Sequence, residues 1–257
     1  MRLTVALGVL GLMLSLEVLR PKRRYQHPRK LRWPTNLGLA VVNMLAVRFS
    51  VGGLAYLSAF QAQTQQWGLW NYLELPELAN IIISLACLDF AIYAQHIAAH
   101  RWQWLWRLHQ VHHTDLEFDA TTAVRFHPLE ILLSLLYKVA WIVMLGASPA
   151  AVLLFEIILN ACATFNHSNV DIPKPLEKAL RLVLITPDLH RIHHSVEFKE
   201  LNSNYGFSVS FWDRIFRTLR PSAQRSQTEI QIGLADYQDL TQLGLTRLLS
   251  LPFRRRT

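Results

Sequence analysis

The stretch that decides the fold is residues 78–100, "LANIIISLACLDFAIYAQHIAAH". It is apolar for about the 20 residues a membrane-spanning helix needs, carries the single charge Asp89, and ends on His96 and His100, four apart. On a helix that spacing puts both imidazoles on one face. An apolar span that delivers a histidine pair at its end is the unit from which the rest is read.

Outward from it lie further apolar runs. Residues 3–19 contain one charge, Glu17, and residues 37–60 contain one, Arg48. Residues 131–163 hold two shorter runs broken at "GASPA", a helical hairpin or one span plus a re-entrant piece. The chain is 51% hydrophobic and 17% charged, against about 25% charged in ordinary soluble domains, and its mean hydropathy is +0.18. The first run has a basic region of Arg2 alone and no A-x-A site, so it reads as an anchor rather than a cleaved leader.

The net charge of +8 is concentrated: "RPKRRYQHPRKLR", 20–32, holds seven Lys/Arg. Beside a membrane span this is a positive-inside signal rather than a nucleic-acid patch. The loop "QAQTQQWGLWNYLELPE", 61–77, has no Lys or Arg and suits the opposite side. Alternation of the runs then brings every paired histidine to the cytoplasmic side. Cys87 and Cys162 lie in apolar runs and read as small buried hydrophobes. Trp102, Trp104 and Trp106 in "RWQWLWRLH" read as interfacial.

Eight of the 11 histidines fall in helix-face clusters: His96 and His100, then "HQVHH" with His109, His112 and His113, then "DLHRIHH" with His190, His193 and His194. "TPDLHRIHH" carries a helix start, with Thr186 as N-cap, Pro187 at the first position and Asp188 in the first turn. Clustered imidazoles repel when charged and are poorly solvated when neutral; a metal relieves both. Eight ligands suit two ions rather than one. His167 in "FNHSNV" is a ninth candidate, whereas His127 in "RFHPLE" suits a structural role at a helix start and His27 a solvated one. The zinc-protease pattern H-E-x-x-H is absent. Candidates for orienting the rings are Asp89, Asp188 and Asn204, with Asp213 a candidate to pair with Arg214 or Arg217. Lys138, inside an apolar run, suits snorkelling or a substrate contact.

"HIAAH", "HQVHH" and "HRIHH", with "RFHPLE", "FNHSNV" and "NSNYGFSVSFWDRIFRTLR", resemble the fatty acid hydroxylase/sterol desaturase superfamily over roughly residues 80–220. The resemblance implies an all-α polytopic membrane protein, with about four transmembrane helices and a cytosol-facing helical cap carrying the histidine boxes. Its expected parts are N-terminal spans and a basic loop (1–77), a catalytic domain (78–220) and a C-terminal cytoplasmic tail (221–257). It further implies a di-iron oxygenase that uses O2 and two electrons to hydroxylate or desaturate a sterol or fatty acyl lipid. His96, His100, His109, His112, His113, His190, His193 and His194 would be ligands, with His167 joining them; zinc could replace iron on isolation. A separate ferredoxin, cytochrome or reductase would supply electrons, and a bacterial inner membrane is the expected location. A zinc-dependent hydrolase or isomerase, or a non-enzymatic metal-binding membrane protein, are the competing readings of the same histidines.

Overall fold

The computed structural model describes residues 2–50 and 53–254. The described residues form thirteen α-helices, with short 3-10 turns between some of them. The N-terminal part contains α1 (Arg2–Leu19), α2 (Arg29–Ser50), α3 (Leu54–Thr64) and α4 (Leu69–Tyr72). The central part contains α5 (Glu77–Arg101), α6 (Gln103–His113), α7 (Pro128–Leu145) and α8 (Pro149–Asn166). The rest is short: α9 (Lys174–Leu180), α10 (Pro187–His193), α11 (Phe198–Leu201), α12 (Phe211–Ile215) and α13 (Leu245–Ser250).

Among the described residues four segments are long and apolar enough to cross a membrane: Arg29–Tyr72, α5, α7 and α8. The chain is therefore an integral membrane protein. Its spans leave Leu78, Ile82, Leu133, Leu136, Met144, Leu154 and Ile158 exposed as a lipid-facing surface. The first run forms α1, of which Thr4–Leu19 is an apolar helix. The run 37–60 is divided: α2 starts eight residues earlier, inside the basic block, and α3 follows beyond the undescribed residues 51–52. The pair in 131–163 is a full helical hairpin rather than a span and a re-entrant piece.

Local chemistry sets the hairpin. His127 caps α7 by accepting from the Leu129 amide, and Pro128 stands at the first position. Gly146 ends α7 in the left-handed region at φ +71°, where a Cβ is costly. Ser148 then caps α8. Asn80 of α5 staples this turn, donating to Gly146 O at 3.0 Å and accepting from the Ser148 amide at 3.0 Å. Leu88, Ile92, Leu135, Ile142 and Phe155 form the core between α5, α7 and α8.

At the other end of the bundle the loops and short helices make a cap. Lys22, Arg23, Arg29 and Arg32 of the basic block are built into it. Lys22 pairs with Asp171 and Asp188 at 3.0 and 3.4 Å. Arg29 pairs with Glu17 at 2.7 Å and buried Arg32 with Asp119 at 2.5 Å. His27 is half-buried, its ring 3.5 Å from Glu117. The C-terminal stretch folds back: Leu243, Leu248 and Leu251 pack on Leu39, Val111 and Leu116. Arg255, Arg256 and Thr257 lie outside the described residues.

Candidate metal centre

Four elements bring the histidines together. α5 ends at the cap, and the extended backbone of Trp102 turns the chain into α6. α10 starts as its sequence dictates, Thr186 accepting from the Leu189 amide ahead of Pro187. His167 follows the last residue of α8.

The nine candidate histidines converge into two groups. One contains His96, His100, His109, His113 and His193; the other contains His112, His167, His190 and His194. Within each group one nitrogen per ring lies within 4.8 Å of the others. The triplets do not stay on one face. His109 and His113 enter the first group and His112 the second; His190 and His194 enter the second and His193 the first. At about 100° per residue, positions i+3 and i+4 straddle position i by about 60° and 40° on opposite sides. Each triplet therefore sits on the seam between the groups and feeds both.

Five rings have their outer nitrogen fixed by an oxygen that can only accept. His96 Nδ1 donates to Tyr205 O at 2.8 Å and His193 Nδ1 to Ser203 O at 2.7 Å. His112 Nδ1 donates to Arg125 O at 3.2 Å and His167 Nδ1 to Ala163 O at 2.8 Å. His109 Nδ1 donates to the Glu130 carboxylate at 2.6 Å. A neutral imidazole has one N–H, so the inward Nε2 atoms of these rings are lone pairs. Two such atoms face each other in each group: His96 and His193 at 3.0 Å, His112 and His167 at 3.1 Å.

Burial holds six of the rings outside the spans neutral. It pushes His193 down to about 3 and His167 to about 4. Burial, reinforced by neighbouring imidazoles, pushes His112, His113, His190 and His194 well below the ordinary histidine value. Opposed lone pairs in a dry site repel each other, and a cation between them turns the repulsion into ligation. Among the described residues, both nitrogens of His194 and one each of His100, His113 and His190 are buried without a hydrogen-bond partner. The donor set fits two nitrogen-preferring transition-metal ions, one per group.

The surroundings correct several expectations. Asp89 does not reach a histidine; it accepts from Trp212 Nε1 at 2.9 Å and joins α5 to α12. Seven residues put it on the side of His96 but about 10 Å away along the helix. Asp188 anchors α10 through Arg191 at 2.7 Å, again without touching an imidazole. Asn204 acts through the backbone. At φ +53° it donates to Leu189 O and Arg220 O at 2.9 and 3.0 Å, fixing the loop whose Ser203 and Tyr205 carbonyls hold His193 and His96. Asp213 serves the backbone instead: it accepts from the Tyr205 and Gly206 amides at 2.9 and 2.7 Å. His127 spends its second nitrogen on Leu249 O at 3.1 Å and is structural. Trp102 and Trp104 are exposed as interfacial residues should be, but Trp106 packs on His100 and His113, ring centres 5.0 and 5.6 Å apart.

Sequence reasoning missed Glu130 and Arg125. Glu130 stands in the first turn of α7, and a carboxylate at the mouth of a membrane span was the available signal. Arg125 gave no such signal. It is fully buried, its pKa pushed down to about 10 by burial, and it bonds Val111 O at 3.1 Å and Thr114 Oγ1 at 2.8 Å at the end of α6.

A cavity of about 400 Å³ opens from the first group between the spans. His96, His109 and Glu130 line one end, and Ile92, Leu135 and Leu159 line its body.

The sequence pattern described as "Fatty acid hydroxylase" matches residues 81–218. The chain is 30% identical over 160 residues to "Ornithine lipid hydroxylase OlsE" of Rhizobium tropici, covering 62% of this chain and 47% of that protein. It is 30% identical over 166 residues to "Alkylglycerol monooxygenase" of Danio rerio, covering 62% and 35%. It is 28% identical over 152 residues to "Cholesterol 25-hydroxylase" of Rattus norvegicus, covering 57% and 50%. The aligned regions thus span half or less of these relatives. No solved structure matches.

Proposed function

Because the chain belongs to the fatty acid hydroxylase family, we propose that it is a membrane-bound di-iron oxygenase acting on a C–H bond of a lipid, of sterol or fatty acyl type. Hydroxylation is favoured over desaturation, since the similar proteins are named hydroxylases and monooxygenases. The observation that carries the reading is the pair of opposed Nε2 lone pairs, one in each histidine group, beside an apolar cavity between spans.

His96, His100, His109, His113 and His193 would hold one ion; His112, His167, His190 and His194 would hold the other. The iron pair would supply activation of O2, one oxygen going to the lipid and one leaving as water with two electrons and two protons from a separate donor. The protein's own residues do the positioning. Glu130 and the carbonyls of Tyr205, Ser203, Arg125 and Ala163 take the outer ring protons and aim each Nε2 inward. Ile92, Leu135 and Leu159 give an alkyl body a dry channel to the first group. The seven Lys/Arg of 20–32 join the cap that carries the histidines, which supports a cytoplasmic centre by the positive-inside rule and access for a soluble reductase, ferredoxin or cytochrome.

The test is metal analysis of protein from iron-supplied cells, beside His112→Ala and His193→Ala, together with lipid profiles of cells with and without the chain. The expected result is two irons in the wild type, loss in both variants, and an oxygenated lipid present only with the intact protein. Zinc that iron does not replace, with no O2 consumption on reduction, would overturn the reading in favour of a hydrolase.

A further inference from the structure

The cavity that starts at the histidines ends at charge. Lys138 of α7 and Glu156 of α8 both line it, with Nζ and Oε1 3.5 Å apart. Lys138 is eight residues beyond Glu130, about 12 Å along α7. Glu156 is seven residues before Ala163, whose carbonyl holds His167, so about 10 Å along α8. Both helices therefore place the pair at one depth, near the middle of two 18-residue spans. Between the two ends, Ser134 donates to Gln95 at 3.1 Å.

The hairpin does not need this pair to stay closed. Its turn is already stapled by Asn80, and its interface is packed with Leu135, Ile142 and Phe155. Charges inside a span are expensive and mark function, and replacing a buried pair by apolar residues of similar volume is often neutral or stabilising. The contact is also long: 3.5 Å exceeds the 2.7–3.2 Å of a well-formed hydrogen bond. An ammonium only donates and a carboxylate only accepts. A hydroxyl does both, so it can bridge them. An alkyl end would meet charge with nothing to offer, and an anionic end would leave excess charge at mid-span.

We infer that Lys138 and Glu156 form the recognition site for a hydroxyl at the inner end of the substrate. The substrate is thus a neutral lipid alcohol oxidised at a carbon about 10–12 Å from its hydroxyl, the span of the cavity along α7 and α8. This rests on the oxygenase reading, and it adds that the molecule enters with its hydroxyl pointing away from the metal centre.

The experiment is equilibrium binding of radiolabelled dodecanol to the iron-loaded protein in lipid nanodiscs, competed by unlabelled dodecanol, dodecane and dodecanoate. Wild type is compared with Lys138→Met/Glu156→Leu, which removes both charges of the pair together. Wild-type protein is expected to favour dodecanol over dodecane by on the order of tenfold, as for one net hydrogen bond to a charged group, and to rank dodecanoate below dodecanol. The double variant is expected to lose the preference. Equal competition by dodecane, stronger competition by dodecanoate, or a preference that survives in the double variant would each overturn the inference. The wild-type series decides the matter even where the variant fails to fold. Iron content and O2 consumption are read on the same samples. A pair-dependent preference without iron would refute the oxygenase reading and keep the alcohol site; iron and O2 consumption without the preference would do the reverse.

Discussion

Glu130→Gln removes one negative charge and keeps the shape of the side chain. In the native protein the carboxylate accepts from His109 Nδ1 at 2.6 Å, with the ring 5% and the carboxylate 14% exposed. Four other rings donate their outer N–H to neutral carbonyls, so His109 differs in having an anion behind it. The charge behind the ring makes its inner nitrogen a stronger donor to metal. A hydrogen bond to a charged group nets about 1.5–3 kcal/mol. Loss of such an outer partner costs about 10–100-fold in metal affinity, which is about 1.4–2.7 kcal/mol. The two ranges agree, and because glutamine still offers a neutral acceptor, the expected loss is near the lower bound, about tenfold. It should fall on the group that contains His109 and spare the one built from His112, His167, His190 and His194. The assay is chelator titration of the iron-loaded protein with metal content read at each step. One equivalent should leave at about tenfold lower chelator than in the wild type, while the second stays. Simultaneous loss of both ions, or an unchanged curve with the fold intact, would refute the assignment of Glu130 to one ion.

Asn204→Ala leaves the Arg220 amide and two carbonyls without their partner and puts alanine in the left-handed region; a loss of roughly 2–4 kcal/mol in denaturant unfolding is expected, and Asn204→Gly should recover the strain part only. Arg125→Met takes the donor from buried Asn36 Oδ1 and frees the end of α6, while Asp115 keeps Arg32, Asn36 and Thr122; destabilisation of about 2–3 kcal/mol is expected, and a change under 1 kcal/mol would show the network to be dispensable. The metal-free protein should weaken in acid. His167 and His193 titrate near 4 and 3 in the fold and near 6.5 when unfolded. The unfolded chain therefore binds more protons once the pH drops below about 6.5, and each ring costs about 1.4 kcal/mol per pH unit until its folded value is reached. Chelator-treated protein unfolded at pH 7.5 and at pH 5.5 checks this, and equal stability at the two pH values would count against neutral buried rings.

The elements most legible in the sequence were those where one short local pattern suffices. α5 followed from an apolar run of spanning length, α10 from Thr186, Pro187 and Asp188, and the histidine set from its spacing. Asp89 was misplaced because helical periodicity gives the side of a helix but not the distance along it to a partner. The basic block reads as a positive-inside signal because sequence shows its charge but not that Glu17, Glu117 and Asp119 converge on it from elsewhere.

Sequence by itself determined that the chain is helical and membrane-spanning and which eight imidazoles are clustered candidates, with His167 a ninth beside the hairpin, since hydropathy and i, i+3, i+4 spacing are properties of single segments. Tertiary structure alone decided how those imidazoles divide into five and four, which oxygens fix their tautomers, and that Lys138 and Glu156 close the far end of the cavity. Each of these depends on groups far apart in the chain. His96 meets His193 across 97 residues and His112 meets His167 across 55, and no local pattern encodes which lone pair will face which.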